Sequence, residues 1–146
     1  MDIDTRVKVA LYRAIADSGN VPTAEEVGDR VRASSATVRE CYRRLRARRL
    51  LWLEADDATI RMAPPFSAVP TQHQVTVDGI TYFANCAWDA LGIPAALHRP
   101  GTVLSRCEQS LEPLRLRVGN DGPEACSWLF HCLVPAAKWW QDLVFT

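Results

Sequence analysis

The residues from 82 to 92 read YFANCAWDALG, and they mark the point where a predicted sheet runs into a predicted helix. Two strand-like segments, 74–77 and 80–83, flank the dipeptide Asp78-Gly79. That dipeptide is typical of a tight hairpin turn, because it accommodates positive backbone φ angles. The sequence therefore predicts a β-hairpin followed at once by a helix.

The predicted helix covers 85–91, and Gly92 and Pro94 predict its end. Cys86 and Asp89 lie three residues apart, so the helix places them on one face. A thiol in the first turn is stabilised as thiolate by the helix dipole, and a neighbouring carboxyl can accept and return its proton. The same spacing also fits a buried structural cysteine with an aspartate at a helix start. The spacing leaves both interpretations open.

Further strands and a last helix are predicted towards the C-terminus. Apolar spacing predicts strands over 102–105, 114–118 and 127–134, separated by turn residues. Pro135 is a favourable first residue for a last helix. We expect that helix to direct Trp139, Trp140 and Leu143 inwards.

The N-terminal part has the pattern of three helices and a strand pair. The first helix is predicted over 5–17, the second begins after the capping box at Thr23, and the third covers 36–49. Two strands are predicted over 50–53 and 59–62. This order predicts a winged helix-turn-helix. Pro64-Pro65 then marks a connection, so the sequence predicts an α+β protein with a winged-helix-like domain over 1–63 and a second, mixed α/β domain over 64–146.

Charge is balanced overall but not along the chain. Among 146 residues, seventeen Lys and Arg match seventeen Asp and Glu, yet the first 50 residues hold eleven basic and seven acidic side chains. The predicted third helix is rich in arginine and could enter a DNA major groove. Arginines on an exposed helix face also commonly form ion pairs or a solvated surface, and DNA binding is the less favoured of these interpretations.

Several function classes are excluded by missing motifs. The chain has no apolar run of roughly 20 residues, no signal-peptide pattern, and no GxGxxG, GxxxxGK[ST], GxSxG or HExxH motif. We therefore expect a cytoplasmic protein without membrane contact. Its five cysteines form no CxxC pair and are expected as thiols. Zinc binding by Cys126, Cys132 and His131 is a weaker possibility, since neighbouring strand residues point to opposite faces.

Three stretches together resemble one known family. They are YFANCAWDALGIPA (82–95), LSRC followed by PLRLRV (104–107 and 113–118), and VPAAKWWQDLVFT (134–146). Over about residues 66–146 the chain resembles the organomercurial (alkylmercury) lyases, which also begin with a winged-helix-like module. The resemblance implies protonolytic cleavage of the carbon–mercury bond of RHg⁺ to RH and Hg(II), with no organic cofactor. Organomercury compounds and Hg(II) are the partners it implies.

The resemblance also implies roles for particular residues. Cys86 would be the thiolate that captures mercury, Asp89 the carboxyl that relays protons to the departing carbon, and Cys107 a structural cysteine. The family's second catalytic cysteine follows the segment that resembles residues 139–146, so the match assigns no second thiol here. We therefore expect this chain to bind RHg⁺ through Cys86 and to release little RH. Cys132 is the weaker alternative for a second, mercury-binding thiol.

The alternative function is that of a winged-helix regulator. Cys86 would then sense a soft metal or a thiol reagent, and the arginine-rich helix would lie on DNA. A regulator needs a dimer and an exposed basic helix, whereas a lyase needs Cys86 and Asp89 facing one closed apolar pocket.

Overall fold

The computed structural model describes residues 1–143, and it has a mixed α+β fold in which three helices precede two antiparallel sheets. The last three residues of the stretch 134–146 lie outside the described residues. The helices are α1 (Ile3–Ser18), α2 (Ala24–Val31), α3 (Ser35–Ala47) and α4 (Ala87–Leu97). The strands are β1 (Trp52–Leu53), β2 (Ile60–Ala63), β3 (Phe66–Ser67), β4 (Gln74–Val77), β5 (Ile80–Phe83), β6 (Gly101–Arg106), β7 (Pro113–Gly119) and β8 (Gly122–Pro123). A short 3₁₀ helix covers Ala136–Gln141.

The three N-terminal helices form where the sequence predicts them. At the start of α2 the Thr23 hydroxyl accepts a hydrogen bond from the Glu26 amide at 3.2 Å, and the Glu26 carboxylate accepts one from the Thr23 amide at 2.7 Å. This reciprocal pair satisfies two backbone donors that a helix start leaves open. The capping box predicted from the sequence is therefore present.

The first sheet has the order β1-β2-β3 and links the N-terminal helices to the rest of the chain. Strand β3 was not predicted, because two residues after a proline pair carry no alternation. It pairs with β2 through Ala63 and Phe66, and Phe66 also bridges to Ala84 beyond β5. One cluster of buried side chains continues from α1 to β7. The division at residues 63 and 64 stays a prediction.

The second sheet has the order β5-β4-β6-β7-β8, with every neighbouring pair antiparallel. The predicted hairpin is confirmed, since β4 and β5 meet at Asp78-Gly79 with Val77 opposite Ile80. Helix α4 packs on this sheet against β4, β6 and β7. Its buried residues Ala90, Ile93 and Pro94 make that contact.

Helix α4 differs from the prediction at both ends. It begins at Ala87 and continues through Gly92 and Pro94 to Leu97, so the expected stop is wrong. A proline removes one helical N–H donor, but Pro94 is buried against Gly101 of β6. Packing on the sheet outweighs the local signal to end the helix.

The segment 127–134 forms no strand, contrary to prediction. Its apolar residues Leu129 and Leu133 are 92% and 73% exposed. A strand needs a partner for its backbone hydrogen bonds, and within residues 1–143 the sheet ends at β8. The predicted last helix is a 3₁₀ helix from Ala136, with Trp139, Trp140 and Leu143 half-buried. No helix among the described residues is long and apolar enough to span a membrane.

Candidate active site at the start of helix α4

Cys86 is the residue that caps the N-terminus of α4. Its backbone is extended (φ −151°, ψ 178°), and its sulfur accepts a hydrogen bond from the Asp89 amide at 3.5 Å. The thiol therefore takes the position that a serine or aspartate oxygen usually occupies at a helix start. Burial raises the pKa of the Cys86 thiol, and the backbone amides of Asp89 and Trp88 act in the opposite direction by stabilising the thiolate.

Asp89 lies in the same helical turn as Cys86, as the sequence predicts. Its carboxyl is half-buried, and this burial raises its pKa, while a hydrogen bond from Asn85 opposes the shift. The charge of Asp89 in turn contributes to the raised pKa of Cys86. The charge of Asp89 therefore raises the proton affinity of Cys86, which is consistent with proton exchange between the two groups.

Asn85 is a site residue that the sequence analysis missed. Its side-chain amide donates to the Asp89 carboxylate at 2.8 Å and faces the Phe66 carbonyl at 3.4 Å. Its amide oxygen is buried without a hydrogen-bond partner among the described residues. The sequence could have pointed to Asn85 through its spacing of four residues from Asp89, since residues at that separation meet across one helical turn.

Two aromatic residues connect this site to the N-terminal helices. The Tyr12 hydroxyl donates to the Pro64 carbonyl at 3.0 Å, and its ring lies 6.3 Å from that of Phe66. Burial, with a smaller contribution from the charge of Asp89, raises the pKa of Tyr12 to about 12. A cleft of about 550 Å³ is lined by Tyr12, Phe66 and parts of α1 and α4, but neither Cys86 nor Asp89 lines it.

Cys132 belongs to the segment that passes near the start of α4. Its thiol donates to the Val134 carbonyl at 2.9 Å, and Cys132 is the smallest of the causes behind the raised pKa of Cys86, of which burial is the largest. Cys126 and His131 are exposed. Within residues 1–143 no group of three or more His, Cys, Asp or Glu side chains is arranged to hold a metal ion.

The other two cysteines differ sharply from each other. Cys41 is buried, and burial raises the pKa of its thiol to about 11. Cys107 is half-buried after β6, and hydrogen bonds from Ser110 lower the pKa of its thiol.

The arginines of α3 are paired with carboxylates of the same chain. Arg39 pairs with Glu25 at 2.7 Å, Arg44 pairs with Asp4 at 2.6 Å, and Arg43 pairs with Glu40 at 2.5 Å. Both Arg43 and Arg46 also pair with Asp57, in the loop between β1 and β2. Exposed pairs of this kind contribute little to stability, and each engages an arginine of α3 with a carboxylate of the same chain.

Three comparisons with known proteins agree on the family. The model of the alkylmercury lyase family matches residues 66–146. The alkylmercury lyases of Bacillus cereus and Clostridium butyricum are each 43% identical over 53 residues, which is 36% of this chain and 24% of the relative. That of Streptomyces lividans is 44% identical over 52 residues. The match thus spans about a quarter of the length of these relatives.

A solved structure extends the similarity to the fold. The mercury-bound form of MerB2 is similar with a TM-score of 0.63 and 26% identity, over 83% of this chain and 59% of that one. The similarity thus reaches beyond the 81 residues that the family model matches.

Proposed function

This chain belongs to the alkylmercury lyase family, and we propose that it captures organomercury cations RHg⁺ at Cys86 and cleaves their carbon–mercury bond with a proton from Asp89. One observation carries the proposal. The Cys86 sulfur accepts a hydrogen bond from the Asp89 amide at 3.5 Å at the start of one helix, and the half-buried carboxyl of the same residue contributes to the raised pKa of Cys86. A soft cation prefers thiolate to oxygen or nitrogen ligands, so Cys86 is the natural point of capture.

The proposed reaction has two steps. In the first, a sulfur–mercury bond forms as the Cys86 thiol loses its proton, which Asp89 accepts. In the second, the Asp89 carboxyl donates that proton to the carbon bound to mercury. The electron pair of the carbon–mercury bond becomes the carbon–hydrogen bond, RH departs, and Hg(II) remains on sulfur. The raised pKa of Asp89 supports this role, because it makes the protonated carboxyl easier to reach near neutral pH.

Asn85 would act as a positioning residue in this scheme. Its amide holds one oxygen of the Asp89 carboxylate at 2.8 Å. That hydrogen bond limits rotation of the carboxyl and leaves the second oxygen for proton transfer.

Retention of Hg(II) requires a second sulfur donor, and Cys132 is the alternative within this chain. Its influence on the pKa of Cys86 supports nearness of the two thiols. Cys126, exposed in the same segment, is the matched control. If Cys132→Ser abolishes hydrocarbon release while Cys126→Ser does not, Cys132 is the second thiol. If both variants match wild type, the role belongs elsewhere.

The N-terminal part is proposed to be a winged helix-turn-helix scaffold over 1–63. Helices α1 to α3 followed by strands β1 and β2 support this interpretation. Use of the module as a DNA reader is not favoured, because the arginines of α3 already pair with carboxylates. A clear preference for one duplex sequence over random DNA at physiological salt would contradict this proposal.

The decisive experiment measures benzene in the gas phase above the protein mixed with phenylmercuric acetate, with and without an added small thiol. We expect slow release that the added thiol accelerates, since it supplies the second sulfur donor. Asp89→Asn should still capture mercury. The rate of benzene release should fall at least about 100-fold, which is the usual contribution of a general acid. Cys86→Ser should lose both. Release by Asp89→Asn at the wild-type rate would contradict the proposed proton relay.

A further inference from the structure

Trp88 is the most exposed aromatic side chain near Cys86, and the reaction proposed above gives it no role. It is 55% exposed, although it follows the half-buried Cys86 by only two residues. The side of α4 that faces the second sheet is buried through Ala90 and Ile93. A tryptophan exposed to this degree leaves a large apolar surface in contact with water.

The indole of Trp88 is paired with a second aromatic ring. Its centroid lies 5.7 Å from that of Phe130, and the two planes are tilted by 48°. Phe130 itself is 46% exposed, so both rings keep open surface for a third apolar group. Tilted pairs at this separation are a favourable arrangement of aromatic rings, and the pair can accept a further ring edge or face.

Both rings lie beside the start of α4. Trp88 is the second residue of that helix, which Cys86 caps. Phe130 precedes Cys132 by two residues, and the contact of its ring with Trp88 brings this segment to the start of α4. The aromatic pair therefore lies beside the helix start that carries Cys86.

We propose that Trp88 and Phe130 form an aromatic shelf that binds the aryl group of an arylmercury cation held on Cys86, so that this site prefers aryl to methyl mercurials. The inference rests on the proposed role of Cys86 as the mercury ligand. Mercury(II) bound to one carbon and one sulfur is linear, so the carbon group extends away from the thiolate. An aryl group then gains contact with the two rings, whereas a methyl group is too small to cover them.

The test compares phenylmercuric acetate with methylmercuric chloride by exchange from their mercaptoethanol adducts. The protein carries Asp89→Asn, which keeps mercury capture and suppresses cleavage during the measurement. It also carries Cys107→Ser, Cys126→Ser and Cys132→Ser, which leave Cys86 and the buried Cys41 as thiols. In each exchange the Cys86 S–H bond breaks, a sulfur–mercury bond forms, and mercaptoethanol leaves with the proton. Referring both mercurials to one small thiol cancels their intrinsic affinities for sulfur. Intact-protein mass spectrometry at increasing mercaptoethanol gives the two exchange constants.

We expect the phenyl constant to exceed the methyl constant by about three- to tenfold, the range of one aromatic contact. Trp88→Ala and Phe130→Ala should bring the ratio within about twofold of one, and Trp88→Phe should keep most of it. Trp128→Ala, which changes another exposed tryptophan of the segment, should leave the ratio unchanged.

Two results would overturn the inference, and they distinguish failure of the aromatic shelf from failure of the proposed function. If both mercurials bind through Cys86 and the ratio is the same with and without Trp88 and Phe130, the shelf is wrong and the proposed function stands. If Cys86→Ser changes neither exchange constant, mercury capture at Cys86 fails, and the shelf fails with it.

Discussion

Hydrogen bonding and burial set the thiols of Cys107, Cys86 and Cys41 apart from one another. Hydrogen bonds from Ser110 lower the pKa of Cys107, whereas burial raises that of Cys86 and raises that of Cys41 to about 11. The thiolate is the reactive form towards alkylating agents. The spacing of Cys86 and Asp89 together with the family resemblance favours Cys86 as the most reactive thiol, whereas these pKa directions favour Cys107 for alkylation.

We therefore predict the order in which iodoacetamide modifies the native protein near neutral pH. Cys107 should react faster than Cys86, and Cys41 should react only after unfolding. Peptide mass spectrometry of timed samples gives the rate at each cysteine, with a urea-unfolded sample as the control in which the differences vanish. A native protein in which Cys86 reacts first would show that Cys107 lacks the stabilisation described.

Mercury capture by Cys86 follows a different rule from alkylation. A soft metal displaces the proton from sulfur, so a thiol with a raised pKa remains a good ligand. The pairing of Cys86 with Asp89 was predictable, because helical spacing alone brings them together. The contact of Trp88 with Phe130 was not, since residues 42 positions apart give no local signal for it.

The loop between β1 and β2 depends on one carboxylate. Asp56 accepts hydrogen bonds from the amides of Ala58 and Thr59 at 2.9 Å each and from the Thr59 hydroxyl at 2.5 Å. These bonds lower the pKa of Asp56 to about 2. The turn is therefore built around the ionised form of an exposed side chain.

The hydrogen bonds of Asp56 predict how the stability of the protein changes with pH in acid. The folded pKa of Asp56 is below its value of 3.8 in the unfolded chain, so its contribution is fully present above pH 3.8 and is lost as the pH falls towards 2. Asp56→Asn should be less stable than wild type near pH 5, and the difference should shrink as the pH falls through that window. Urea unfolding at several pH values measures it, and a difference that grows on acidification would contradict the assignment.

Elements fixed by local chemistry were predictable, and those that depend on distant partners were not. The capping box at Thr23 and the turn at Asp78-Gly79 each involve a few neighbouring residues, and both are confirmed. The apolar pattern of 127–134 predicts a strand, but a strand forms only beside a partner, and the pattern of one segment does not show whether a partner is present. The structure has no strand there. Pro94 inside α4 is the opposite case, in which burial on the sheet overrides a local stop signal.

For the molecule as a whole, the packing between the N-terminal helices and the second sheet is the main feature. The Tyr82 hydroxyl of β5 donates to the Ala16 carbonyl of α1 at 2.6 Å. Phe66 contacts the rings of both Tyr12 and Tyr82. The predicted boundary at residues 63 and 64 therefore falls inside a shared set of buried contacts, and we expect the two predicted parts to unfold together.

Tyr82→Phe tests that coupling, because it removes one hydrogen bond across the predicted boundary and keeps the ring. A bond of this kind contributes about 1 kcal/mol, so the free energy of unfolding should fall by about that amount in a single transition. Tryptophan fluorescence and far-ultraviolet circular dichroism in urea should give the same midpoint. Ser18→Ala is the control, since its hydroxyl bonds to Ala14 within α1 and spans no boundary. Two separate transitions, with only one of them shifted by Tyr82→Phe, would mean that residues 1–63 and 64–143 fold independently and that the buried cluster between them couples nothing.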